Sequence, residues 1–295
     1  MTRETPFGRF AGEFLASKVA IAGLAMLAVV VVIALFAPWL SPQNPYDLGK
    51  LDLLDARLPP GSAAGPGGAV TSYALGTDGQ GRDMLSAIFY GLRVSLMVGA
   101  ASGAIALTIG ALLGVLAAYI GGRFEQVLMR IVDIQLGFPA ILVALILIAV
   151  LGKGVDKVII ALVTVQWAYY ARTARSAALV ERGKEYIEAA RALGLSHARI
   201  VLRHLLPNAM PPLIVVGTVQ VAHAIALEAT LSFLGLGLPT TEPSLGLLIA
   251  NGYEYLLSGK YWISVYPGIA LLVTILSINL VGDQLRDVLN PRLAK

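Results

Sequence analysis

The 295-residue chain contains no cysteine. Disulfides, thiolate catalysis and any Cys-ligated zinc or iron–sulfur site are excluded by that absence. Charge is scarce too: Asp, Glu, Lys and Arg are 14% of residues, where a soluble domain carries about a quarter. This argues against a water-soluble enzyme, as does the mean hydropathy of +0.76. A phosphate-binding loop is missing, because the Gly-Lys pairs starting at Gly49, Gly152, Gly183 and Gly259 are followed by Leu51, Gly154, Glu185 and Tyr261, never Ser or Thr. The three histidines, His197, His204 and His223, share no metal-ligand spacing with carboxylates, and no Gly-x-Ser-x-Gly elbow appears. The chain is expected to hydrolyse nothing itself and to bind no metal or cofactor.

What is present is a set of long uncharged runs. A membrane helix needs about 20 mostly apolar residues. Six candidates fit: Ala20–Trp39, Val94–Ile120, Ile134–Leu151, Val158–Ala171, Pro212–Leu231 and Tyr261–Val281. The third is interrupted only by Pro139, and the fourth has just 14 residues. The first run is longer than the 7–15 residues of a signal-peptide core and lacks a clean cleavage site, so it reads as a retained helix. The expected fold is an all-α integral membrane protein of six transmembrane helices.

Orientation follows from Lys and Arg in alternate loops. With the N-terminus inside, fifteen cationic residues fall inside and seven outside. N-in and C-in are therefore expected, and the net charge of +4 needs no nucleic acid to explain it. The expected organisation is an amphipathic segment at 1–18, a first span at 19–40, an outer loop at 41–93, a five-helix core at 94–282 and an inner tail at 283–295. Phe7, Phe10 and Phe14 fall at helical spacing near Arg9 and Lys18, suiting a helix on the inner leaflet. In the outer loop, Pro59–Gly68 has no periodicity and reads as a flexible linker. No internal repeat is found.

The inner segment 172–212 is far longer than two adjacent helices need. It reads as a hairpin of two short helices. Tyr186, Ala189, Ala190 and Leu193 form one apolar face, and Glu188 is placed to pair with Lys184 and Arg191. Gly194 is expected to end this helix in the left-handed region. Ser196 then caps a second helix with Ala198, Val201, Leu202 and Leu205 on its apolar face. Pro207 and the Pro211-Pro212 pair should stop that helix before the next span. Such a hairpin fits a partner's groove, and equally fits packing on its own membrane domain.

Glu188-Ala189-Ala190, Gly194 and Leu206-Pro207 resemble the EAA loop of ABC importer permeases. His204, two residues before Leu206, resembles the peptide/nickel subgroup. Further segments match in order: Gly76-Thr77-Asp78, Gly81-Arg82-Asp83 and Gly91-Leu92-Arg93-Val94-Ser95; Leu231-Ser232-Phe233-Leu234-Gly235-Leu236-Gly237; and Gly282-Asp283, Leu285-Arg286-Asp287 and Asn290-Pro291-Arg292. Gln80, Ala87 and Asn290 depart from the usual Leu, Arg and Asp. The resemblance to the dipeptide/oligopeptide/nickel family implies an inner-membrane permease subunit forming half a pathway. It implies a second permease, two cytoplasmic ATPases carrying ATP and Mg, and an extracytoplasmic solute-binding protein. Peptides, a nickel chelate or a glutathione-like molecule are the implied solutes.

Inside the spans, Glu228 is the one well-buried carboxylate expected. It marks either a pathway or a helix end reaching water or an Arg. Gln166, Tyr169, Tyr170, Gln220 and Asn279 line a polar path or bond neighbouring helices. A gradient-driven secondary transporter is the rival reading; it calls for inverted repeats and a charged relay, of which only Glu228 is seen.

Overall fold

The computed structural model describes residues 6–47, 49, 51–65, 70–239 and 241–289. Expectations for Asn290-Pro291-Arg292, for Pro66-Gly67-Gly68 and for the side chains of Phe7 and Arg9 lie outside the described residues.

Helix α1 (Pro6–Leu15) is followed by α2 (Lys18–Leu35), whose first turn is capped by Ser17 accepting from the Ala20 N–H. Within α1, Phe10 and Phe14 stack at 6.3 Å, and Phe14 is buried. The first run does not reach Trp39 as one helix. It breaks at Phe36, and a short α3 (Ala37–Leu40) restarts with Pro38 in its first turn, where the missing N–H costs nothing.

The loop between α3 and the next helix is more ordered than a linker. Strands β1 (Ser62–Ala63) and β2 (Ser72–Tyr73) pair antiparallel. Buried Asp55 accepts from the Gly65 N–H and, at 2.8 Å, from the Tyr73 hydroxyl. Burial and the Asp55 carboxylate together push the Tyr73 phenol well above its usual range. Composition hid this because the ordering groups, Asp55 and Tyr73, flank the Pro/Gly stretch.

Asp83 caps α4 (Met84–Ile120) by accepting from the Ser86 N–H. The helix starts ten residues before the expected span, and at 37 residues it rises about 55 Å, well beyond a hydrocarbon core of about 30 Å. The expected third span is not one helix. Helix α5 (Gly122–Leu136) and α6 (Ala140–Leu151) meet at a bend of 91°. Pro139 lacks the N–H that would carry the ladder through and disfavours a helical residue before it.

Helix α7 (Val155–Arg182) is the fourth span extended at both ends. Its Gln166, Tyr169, Tyr170, Arg172 and Arg175 dilute its hydropathy, yet it is the central helix, with Ala161, Leu162, Ala168, Ala171 and Ala174 fully buried. One face of α7 packs on α4 and α10, while Ile160, Tyr169, Leu179 and Val180 are exposed. Beyond a short pair, α8 (Glu185–Ala192) and α9 (His197–Ile200), a π-helical turn at Val201–Leu205 leads into α10 (Leu206–Phe233). The prolines do not stop this helix. Pro207 sits in the first turn of α10 and Pro211 and Pro212 lie inside it; the widened turn, closed by the Leu206 N–H on the Val201 carbonyl, precedes them. Helices α11 (Leu245–Tyr253) and α12 (Trp262–Leu289) complete the chain.

Among the described residues, four helical stretches are long and apolar enough to cross a membrane: Lys18–Leu35, Met84–Ile120, His197–Phe233 and Trp262–Leu289. The bent α5–α6 pair makes a fifth if counted as one span. Close helix crossings hold them. On α4, a Cβ at Gly110 would collide with the Trp167 carbonyl and one at Gly114 with the Ala171 carbonyl, both on α7. One helical turn or more earlier, Gly99 and Gly103 press against Ile225 and Val221 of α10. These are two Gly-x-x-x-Gly pairs, which let backbones approach without a side chain between them.

Candidate functional site at the helical hairpin

Helix α8 opens the hairpin and ends as the sequence predicts. Gly194 adopts φ 72°. The Leu195 N–H donates to the Ala190 carbonyl at 3.2 Å and the Gly194 N–H to the Arg191 carbonyl at 3.0 Å, which satisfies two of the last carbonyls of α8. Ser196 then accepts from the Arg199 N–H and starts the second arm.

The faces differ from the expectation. Ile187 and Ala190 are the buried residues of α8, while Tyr186, Ala189 and Leu193 face out, Leu193 with 80% of its surface exposed. In the second arm Ile200, Val201 and Leu205 are buried; Ala198 and Leu202 are exposed. The buried residues join Val115, Ala118, Ala174 and Ala178 in one cluster, so the inner face of the hairpin is glued to α4 and α7. Two stripes of the hairpin carry apolar residues, and periodicity alone does not say which one meets its own chain. Ala190 belongs to that core, not to the outward surface, whereas Ala189 belongs to the surface.

The expected ion pairs also re-sort. Lys184 donates to Glu181 at 2.6 Å, not to Glu188, and the Tyr186 hydroxyl donates to the same Glu181 carboxylate at 2.7 Å. Burial and this carboxylate raise the Tyr186 phenol to about 12. Arg191 lies over the Tyr119 ring, 5.4 Å from its centroid. Glu188 is exposed and makes no ion pair among the described residues. His204 is half-buried in the π-helical turn, and its carbonyl accepts from the Asn208 amide at 2.6 Å. Leu206 packs on the cluster and Pro207 is exposed.

One residue that sequence reasoning passed over ties both arms to the membrane helices. Tyr119, in the last turn of α4, meets His197 edge-on; its hydroxyl lies 2.6 Å from His197 Nδ1. Arg191 from the first arm covers the same ring. Only the separation in sequence concealed this.

The intramembrane polar residues fall into separate groups. Glu228 reaches neither water nor an arginine. It is 0% exposed, and Ser95 of α4 and Ser232 of α10 donate to its two oxygens at 2.9 and 2.8 Å. Ser244, the residue capping α11, lies near the same carboxylate. Two hydroxyls, from α4 and α10, therefore hold one carboxylate. Gln166 donates to the Gln220 carbonyl at 3.1 Å, tying α7 to α10. The Gln166 and Gln220 Oε1 atoms and the Tyr170 hydroxyl are buried without a hydrogen-bond partner among the described residues. Asn279 is half-buried on α12 and joins neither group. No cluster of three or more His, Cys, Asp and Glu able to hold a metal occurs among the described residues.

Comparison with known proteins resolves the family. Residues 110–295 match the model of the binding-protein-dependent transport system inner membrane component, and residues 5–60 match the N-terminal transmembrane domain of oligopeptide transport permease C. A Brucella suis protein named as a peptide transport system permease is 42% identical, over 92% of this chain and 87% of that one. The di/tripeptide transport system permease of Pseudomonas aeruginosa is 38% identical, over 98% and 93%. The dipeptide transport system permease of Escherichia coli is also 38% identical, over 98% and 94%. Among solved structures, an inward-facing MetNI methionine ABC transporter chain aligns with a TM-score of 0.57 at 24% identity, over 70% of this chain and 97% of that one. With that fold and these relatives, the chain belongs to the binding-protein-dependent transport family as a multi-pass inner-membrane permease component, not a catalytic enzyme.

Proposed function

We propose that the chain is the permease subunit of an ABC importer for peptides and forms half of the translocation pathway. The hairpin carries the reading. Its inner face is fixed to α4 and α7, while its outer face leaves Ala189, Leu193 and Leu202 uncovered at the tip. A rigid foot with an apolar sole suits a groove on a cytoplasmic ATPase. Glu188, beside that sole, is placed to bond at the rim of the groove. Closure of two ATPases on ATP and Mg would move the hairpins and shift the permease between two states. This chain itself binds no nucleotide in this scheme.

The full assembly contains a second permease, two ATPases and an extracytoplasmic solute-binding protein. Six spans with both termini in the cytoplasm fit the distribution of Lys and Arg, with α7 and the α5–α6 pair completing the six. The α1 helix lies on the inner leaflet. Peptide transport is the function named for the relatives; a nickel chelate or a glutathione-like solute is the alternative cargo.

Two measurements test this. The ATPases should co-purify with the chain, and the reconstituted complex should hydrolyse ATP faster with loaded binding protein. A chain that purifies without them and moves solute on an ion gradient overturns the proposal. For topology, a tag at Lys295 should be accessible only from the cytoplasm and one at Gly65 only from outside.

A further inference from the structure

His223 is an exposed imidazole on a helix long and apolar enough to cross a membrane. It lies ten residues before the end of α10 at Phe233, or about 15 Å, near the middle of a hydrocarbon core about 30 Å thick. Its side chain is exposed, and its ring nitrogens have no hydrogen-bond partner among the described residues. Polar groups at such depth face a bundle interior or a water-filled cavity.

The face around it differs from the lipid-compatible faces of other helices. Pro212, Val219, His223 and Thr230 are exposed at helical spacing on α10, with half-buried Ala226 between the last two. The uncovered side of α2 carries Leu24, Val29, Val32 and Leu35, and that of α12 carries Ile269, Leu272 and Leu276. From Val19 to Leu35 on α2 and from Val265 to Leu276 on α12 every exposed residue is apolar, whereas on α10 the exposed Ile214, Val219 and Phe233 are interrupted by His223 and Thr230. Thr230 satisfies its hydroxyl on the Ala226 carbonyl, so His223 is the group that needs water.

We propose that this face of α10 lines the water-filled translocation cavity, with His223 exchanging hydrogen bonds with water and with the amide and carboxylate groups of a passing peptide. The pathway then runs along the outer side of α10, and the buried Gln166–Gln220 and Glu228 groups lie behind its wall. This rests on the half-pathway reading above.

The absence of cysteine makes the test direct. Val219→Cys, His223→Cys and Thr230→Cys each carry a single thiol, and Val29→Cys and Leu272→Cys serve as lipid-facing controls. A permanently charged methanethiosulfonate needs a hydrated thiolate. In membranes holding the assembled complex, it should label the three α10 positions and spare both controls. Two results overturn the proposal: labelling of the α10 positions only by a lipid-soluble maleimide, or no labelling by either reagent together with cross-linking of position 223 to the neighbouring permease. Three positions keep the test decisive if one variant fails to assemble. Resting labelling needs no nucleotide, so its failure leaves co-purification of the ATPases standing, and the reverse holds.

Discussion

The Tyr119 hydroxyl sits 2.6 Å from His197 Nδ1 while Arg191 covers the ring of the same tyrosine. One side chain of the long α4 helix thus touches both arms of the hairpin. Tyr119→Phe keeps the ring under Arg191 and removes one hydrogen bond, worth about 1 kcal/mol; Tyr119→Ala removes both contacts. Both variants should still co-purify with the ATPases. Solute-stimulated ATP hydrolysis should fall modestly in the first and severely in the second. Full stimulation in Tyr119→Ala would remove this joint from the coupling route.

The hairpin turn has its own test. Gly194→Val places a β-branched residue at φ 72°, a cost of at least about 1 kcal/mol, and should open the turn and release the ATPase. Leu193→Asp should release the ATPase at unchanged permease stability, because Leu193 touches little of its own chain. Ala190→Trp should instead lower permease stability, since Ala190 is in the core. Thermal melting and co-purification, read side by side, separate the three.

At Gly114 the backbone of α4 packs directly on that of α7. Gly114→Ile drives a side chain into the Ala171 carbonyl, and overpacking of this kind costs about 1–3 kcal/mol or more. The expected result is a sharp drop in folded protein recovered from membranes. Normal yield and melting would mean that the helices separate freely there.

Glu228 reaches α4 through Ser95 and lies beside Ser244, the residue that caps α11. Glu228→Gln keeps hydrogen-bonding capacity and should be mild. Glu228→Leu leaves the serine hydroxyls without their acceptor, and faster amide exchange across 245–253 is the expected readout. Unchanged exchange in Glu228→Leu would assign the latch elsewhere.

The three unpaired polar atoms on α7 and α10 call for an internal water, since buried polar groups are almost always satisfied. A single water shared by all three would donate to Gln166 Oε1 and Gln220 Oε1 and accept from Tyr170. Tyr170→Phe and Gln220→Leu should then be non-additive in melting temperature. Strict additivity would show that they share no water.

Much of this architecture was legible in the residues. Gly194 announces the turn because a glycine followed by the N-capping Ser196 has one economical conformation. The apolar runs announce α2, α4 and α12. Helix α7 reads short in the sequence because Asp156-Lys157 and Arg172 bound its uncharged run. The buried stripe of the hairpin was misassigned because Ile187 and Ala190 compete with Ala189 and Leu193 at equal spacing. Gly99, Gly103, Gly110 and Gly114 were in plain view as a pattern, and were passed over for charge and length. The Glu228 cage joins residues 133 positions apart, beyond any local signal.

Helix α4 begins in the ordered loop after α3, at a cap held by Asp83, and its last turn carries Tyr119 beside the hairpin. It is unbroken over its 37 residues. A rod about 55 Å long converts a tilt of about 5° at one end into a sweep of about 5 Å at the other. No chain of intervening contacts has to relay the displacement. Stiffness alone carries it, so softening the rod in mid-membrane, by a proline placed between Gly103 and Gly110, should leave both ends folded and deaf to each other.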